Sequence, residues 1–210
     1  MEPITLVIGI AAVIFSIILH EVAHGYMAEL LGDHTAKYAG RLTLNPIPHI
    51  DPFGSILLPG LMAFTGGPMI GWAKPVPFNP YNLSNQKWGE ALVAFAGPAT
   101  NIVIAVCFGL VIRFFGNTLN PVLLNVLVMT VFSNLSLAAL NLIPIPPLDG
   151  SKVLKSLLPT QLAIAYASLE RMAYSFGSVG LIVVLLIFVN LLSGPVSKFV
   201  YFLFSLIVGA

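Results

Sequence analysis

The chain has little charge: Asp, Glu, Lys and Arg make up 8% of its 210 residues, where a soluble domain carries about 25%. That deficit, with 58% hydrophobic residues, a mean hydropathy of +0.96 and long apolar runs, excludes an ordinary soluble domain and predicts an integral membrane protein. Charge of one sign is also missing. The net charge is +1 and there is no basic tract, so nothing points to nucleic acid. Cysteine is nearly absent. The single Cys107, set in an apolar run, excludes an intramolecular disulfide and a cysteine metal cluster. The first apolar stretch has neither a basic leader nor a small-residue cleavage site and reads as a retained span. The length accommodates a handful of spans and predicts no appended soluble domain.

Against this background, His20-Glu21-Val22-Ala23-His24 is costly. Ile4 to Leu19 contains no charged residue, and the helical pattern runs on to Leu31. An ionised group at mid-bilayer costs roughly 2.5–3.5 kcal/mol, so such residues mark functional sites. Positions i and i+4 share one helical face, which lets both imidazoles reach one metal with Glu21 alongside. Two histidines are one protein ligand short of a catalytic zinc site. His34 and His49 sit in turn-rich loops and read as interfacial or solvated. Asp149 is the lone acidic residue between Glu90 and Glu170 and closes an apolar helix, on the side that also holds His24. Taken alone, it is equally a turn aspartate before Gly150.

The pattern predicts a first helix from Pro3 to about Gly32, an extended polar stretch over 35–45, and a short apolar piece at 53–64. A second extended stretch follows at 69–82. Further helices are expected from Ser84 to about Phe115 (with Gly97-Pro98 in the middle), Leu119–Leu142, 160–175, 178–192 and 196–209. The fold class is thus an all-α polytopic membrane protein of about 4–6 transmembrane helices, with a small β-hairpin or re-entrant segment between the first two full spans. The division expected is a catalytic membrane core over 1–155 and C-terminal membrane helices over 156–210. If 53–64 dips in without crossing, Lys37, Arg41, Lys74, Lys87, Lys152, Lys155 and Arg171 face one side, against Arg113 and Lys198 on the other. The positive-inside rule makes the first side cytoplasmic, and only this arrangement puts HEVAH and Asp149 together.

HEVAH, GPATN at 97–101 and NLIPIPPLDG at 141–150 occur in the order found in site-2 proteases, the intramembrane zinc metalloproteases, and AGRLTLNPIPHIDPFGS resembles the linker after their first motif. Over about residues 10–155 the chain resembles their compact prokaryotic members, with no PDZ domain inserted. The resemblance implies one zinc held by His20, His24 and Asp149, with Glu21 as catalytic acid/base. It places Asn141 near the bound peptide and Asn101 in a supporting polar cluster. From the residues alone, Asn141 either steadies an oxyanion or bonds backbone freed by the following prolines, and Asn101 reads as a donor to the carbonyl freed at Pro98. The expected activity is regulated intramembrane proteolysis. Its substrates would be membrane proteins in the same bilayer, whose unwound chains could pair with the extended stretches. Two rivals are a transporter or metal-binding membrane protein, which would show inverted repeats, and a catalytically silent relative.

Overall fold

The computed structural model describes residues 3–58, 60–61, 72–177, 179–180, 183 and 191–209. Helix α1 (Pro3–Leu30) begins with proline in its first turn, where a missing N–H costs nothing, and stops at Gly32, whose φ of 99° turns the chain. A single turn, α2 (Thr35–Tyr38), follows. Helix α3 (Gly89–Phe115) runs straight through Pro98. Its start is later than the expected Ser84, because Asn85 turns the chain by accepting the Lys87 and Trp88 N–H groups at 3.1 and 2.9 Å. Asn120 caps α4 (Pro121–Asn141) by accepting Leu123 N–H at 2.8 Å. A proline-rich loop leads to α5 (Asp149–Leu157), then α6 (Thr160–Ser175) and α7 (Ser193–Val208).

Among the described residues, three helices are long and apolar enough to cross a membrane: α1, α3 with its one-turn extension to Thr118, and α4. Three of the four to six spans expected thus fall among the described residues. Helix α7 is apolar but only 16 residues long, and the expected 178–192 helix lies mostly outside the described residues. Helix α3 is central, packing on α1, α4, α5 and α7. Ala105, Ile112, Leu127, Val131, Leu135 and Val200 close one core where α3, α4 and α7 meet. Outside, Ile4, Val7, Ile10, Ile14 and Phe15 of α1 stay exposed, as on a helix facing lipid.

The β-hairpin expected as one form of the segment between the first two spans is not found among the described residues. No strand occurs among the described residues, and 69–71, with most of the 53–64 piece beyond Leu58, lie outside them. The polar stretch begins as α2. Residues 72–79 form no regular element, and their backbone groups are taken by other partners. Lys74 N–H donates to His49 O at 2.9 Å, the Lys74 carbonyl accepts from Arg41 at 2.8 Å, and Val76 N–H donates to Glu21 at 3.0 Å. The opposite edge carries Pro75 and Pro77, which have no N–H to offer. Little of either edge is left for an incoming strand. The Pro52–Leu57 turn returns against this segment, with Trp72 N–H donating to Gly54 O at 3.2 Å.

Candidate active site

His20, Glu21 and His24 sit in the C-terminal half of α1, which packs on α3 and α4, and the start of α5 reaches them through Asp149. His24 Nδ1 lies 2.7 Å from Val93 O; a carbonyl only accepts, so this nitrogen carries the hydrogen. His20 Nδ1 lies 2.6 Å from Asn101 Oδ1, and the Asn101 amide nitrogen donates onward to Asn134 Oδ1 at 2.8 Å, so Oδ1 is again the acceptor. Neutral rings held this way both present a bare Nε2. The two Nε2 atoms are 3.1 Å apart, with no hydrogen to share between them. The arrangement demands a cation or an added proton.

Asp149 completes the cluster. Its Oδ2 lies 3.3 Å from His20 Nε2 and 3.4 Å from His24 Nε2, and among the described residues it is a buried oxygen without a hydrogen bond. Asp149 opens α5 and does not close α4, because the prolines at 144, 146 and 147 end the earlier helix and start a new one. A tetrahedral centre with bonds of about 2.0–2.1 Å sets its ligand atoms roughly 3.3 Å apart. Two imidazole nitrogens and a carboxylate oxygen with that spacing fit a zinc-type ion.

Glu21 is close by: one of its oxygens and one nitrogen from each histidine lie within 4.8 Å of one another. Its Oε2, however, already accepts the Val76 N–H, whereas Asp149 Oδ2 is uncommitted, so Asp149 is the better third donor. The residues border a cavity of about 360 Å³, with Trp72, Phe78, Asn141 and Lys152 among its other walls. Asn141 donates to Leu137 O one turn back in its own helix at 3.0 Å, leaving one amide hydrogen facing no protein acceptor among the described residues. A Cβ on Gly97 would come within 2.5 Å of His24 and 2.7 Å of His20, so only glycine admits both rings.

The remaining expectations divide. His34 pairs with Glu29 at 2.9 Å and is half exposed, away from the site. His49 is not solvated: it is 3% exposed and its Nε2 lies 2.9 Å from Thr43 O. Asn101 does not serve the carbonyl freed at Pro98 but orients His20. Sequence reasoning missed Asn134, fully buried, which donates to Ser16 Oγ at 2.9 Å and Thr130 O at 2.8 Å and so anchors Asn101. The signal was there, in polar side chains recurring inside three apolar helices.

Residues 109–187 match the model of peptidase family M50, a stretch that includes Asp149. YwhC of Bacillus subtilis (strain 168) is 35% identical over 188 residues, 86% of this chain and 80% of its own. Rip2 of Mycolicibacterium smegmatis is 32% identical over 95% of this chain and 73% of its own. Both carry the name zinc metalloprotease provisionally. "Zinc metalloprotease MJ0392" of Methanocaldococcus jannaschii is 29% identical over 89% of this chain but only 45% of its own. No solved structure matches. With relatives this similar along most of their length, the chain belongs to peptidase family M50, the site-2 proteases that its motifs resemble.

Proposed function

We propose that this protein is an intramembrane zinc endopeptidase, hydrolysing peptide bonds in or near the spanning segments of other membrane proteins. One zinc would be held by His20, His24 and Asp149, with Glu21 as acid/base. The observation that carries this reading is the trio of bare ligand atoms at 3.1, 3.3 and 3.4 Å, with both imidazole tautomers set by Asn101 and Val93. Hydrogen-bonded outer partners of this kind orient metal-binding histidines. The names of YwhC, Rip2 and MJ0392 support zinc as the ion.

When bound, zinc would supply Lewis acidity toward a water molecule and the scissile carbonyl. Glu21 takes a proton from the water and returns it to the departing amine nitrogen. Because Val76 N–H occupies Oε2, the proton goes to Oε1. Asn141 offers its remaining amide hydrogen to the carbonyl oxygen as negative charge develops. The apolar α1, α3 and α4 helices support a multi-pass protein of the cell membrane, and the excess of Lys and Arg around the site end supports a cytoplasmic orientation.

The test is Glu21→Gln. The amide keeps the size of the side chain but cannot take up a proton at neutral pH. Zinc content should match the wild type, while proteolysis falls by roughly a hundred- to ten-thousandfold. Mass spectrometry of membranes holding either form should find fragments cut within spans only with the wild type. Equal fragments from both forms would reject the mechanism, and loss of zinc would make Glu21 a ligand.

A further inference from the structure

Glu21 is gripped from outside its own helix. Its Oε2 accepts the N–H of Val76 at 3.0 Å, and Val76 is buried at 6% exposure between Pro75 and Pro77. Proline rings hold φ near about −65°, so this link is stiff. Three residues further on, Asn79 N–H donates to Asp33 Oδ2 at 2.7 Å. Asp33 has no solvent exposure and lies just beyond the end of α1, the helix that carries Glu21. Its other oxygen accepts from Asn82 Nδ2 at 2.9 Å, from Thr35 Oγ1 at 2.6 Å and from Thr35 N–H at 3.3 Å. At the other end the segment is held through Lys74, by His49 O and Arg41.

Val76 is therefore suspended between two anchors with a proline on each side. We infer that Asp33 is a positioning residue for hydrolysis: by fixing Asn79 it presents the Val76 N–H to Glu21 Oε2 and leaves Oε1 as the oxygen that handles the proton. This rests on the reading of Glu21 as the acid/base. A carboxylate free to rotate would offer either oxygen, in varying positions, and a misplacement of about 1 Å can cost a hundredfold in rate. Asp33 touches neither the cavity nor the proposed ligands. Its effect travels through the four residues from Asn79 back to Val76.

The experiment uses the full chain loaded with zinc in detergent, a short quenched-fluorescent apolar peptide as substrate, and hydrogen–deuterium exchange of the 72–79 segment, where proline leaves few amides to follow. Asp33→Ala removes the Asn79 anchor. Exchange at Val76 should accelerate although Val76 does not touch Asp33, and kcat should fall about 10- to 100-fold with KM and zinc content little changed. Asp33→Asn keeps an oxygen for Asn79, and Asn82 can turn its amide to suit, so this variant should recover most of the loss. Should Asp33→Ala not fold, Pro77→Gly serves instead. Pro77 is exposed, and its replacement loosens the link while leaving both anchors in place. It should reproduce the faster Val76 exchange and the lower kcat. Unchanged Val76 protection, or a kcat that falls only together with zinc content, overturns the inference and leaves the hydrolytic reading intact. A wild type that holds zinc and leaves the peptide uncut overturns both.

Discussion

The Nε2 atoms of His20 and His24 stand 3.1 Å apart, and each ring has committed its one N–H to the opposite side, His20 to Asn101 and His24 to Val93. Two facing lone pairs repel, and a third acceptor, Asp149 Oδ2, is turned on both. The cluster is unfavourable as three neutral or anionic acceptors and favourable around a cation. This gives the polar end of an otherwise apolar bundle a physical reason to exist.

Asp149→Ala should therefore remove zinc and not merely activity. With two imidazoles left, the site lacks the three protein ligands a catalytic zinc requires. Elemental analysis of the purified variant should show zinc falling to background, and its unfolding temperature should no longer drop on treatment with EDTA. The wild type should lose stability on that treatment, since an ion bound only to the folded state stabilises it. Zinc retained in full by Asp149→Ala would remove this residue from the set.

The contacts of Asp33 with Asn79 and Asn82 tie the loop after α1 to the chain entering α3, and Ser84 N–H donates to Leu31 O at 2.7 Å. Both segments are thereby held at one end of the bundle, and the expectation is that they share one membrane face. In a Cys107→Ser background, cysteines placed at the exposed Tyr38 and Tyr81 should react with an impermeant maleimide from the same, cytoplasmic side. A cysteine at Asn117, beyond the far end of α3, should react from the other. Labelling of the first two from opposite faces would make the metal cluster topologically impossible.

What the sequence disclosed follows from how far each signal reaches. HEVAH is local: a period of 3.6 residues puts His20 and His24 on one face whatever the rest of the chain does. Asp149 was recognisable only from its isolation and its motif, because its approach to the histidines depends on α3 holding both α1 and α5. The Lys74-to-Phe78 stretch reads from sequence as an edge strand or an extended loop, because alternation and prolines mark extended backbone in general. Sequence does not say whether the partner of an N–H is another strand or a carboxylate, and here Glu21 and Asp33 are the partners. His49 read as solvated for the same reason: turn residues around it gave no hint of a fold that buries it to 3%.

Gly97 shows a constraint that no ligand motif reveals. It faces the two imidazoles across α3, and a methyl group there would sit 2.5 Å from His24 and 2.7 Å from His20, closer than any ordinary contact. Neither ring can yield without cost. His24 is fixed at Nδ1 by Val93 O, a backbone atom of α3 itself, and His20 by Asn101 and the buried Asn134 behind it. Gly97→Ala should therefore displace the Nε2 atoms while favouring helix formation in α3, since alanine is the better helix former by about 1 kcal/mol. The two effects are separable. Zinc affinity, measured by competition with a fluorescent chelator, should weaken on the order of 10- to 100-fold, the range seen when ligand orientation is disturbed. Helical content by circular dichroism should stay at the wild-type level. Gly97→Ala protein that binds zinc as tightly as the wild type would mean that the rings have room to move, and that the tautomer-fixing bonds to Val93 and Asn101 do not hold them.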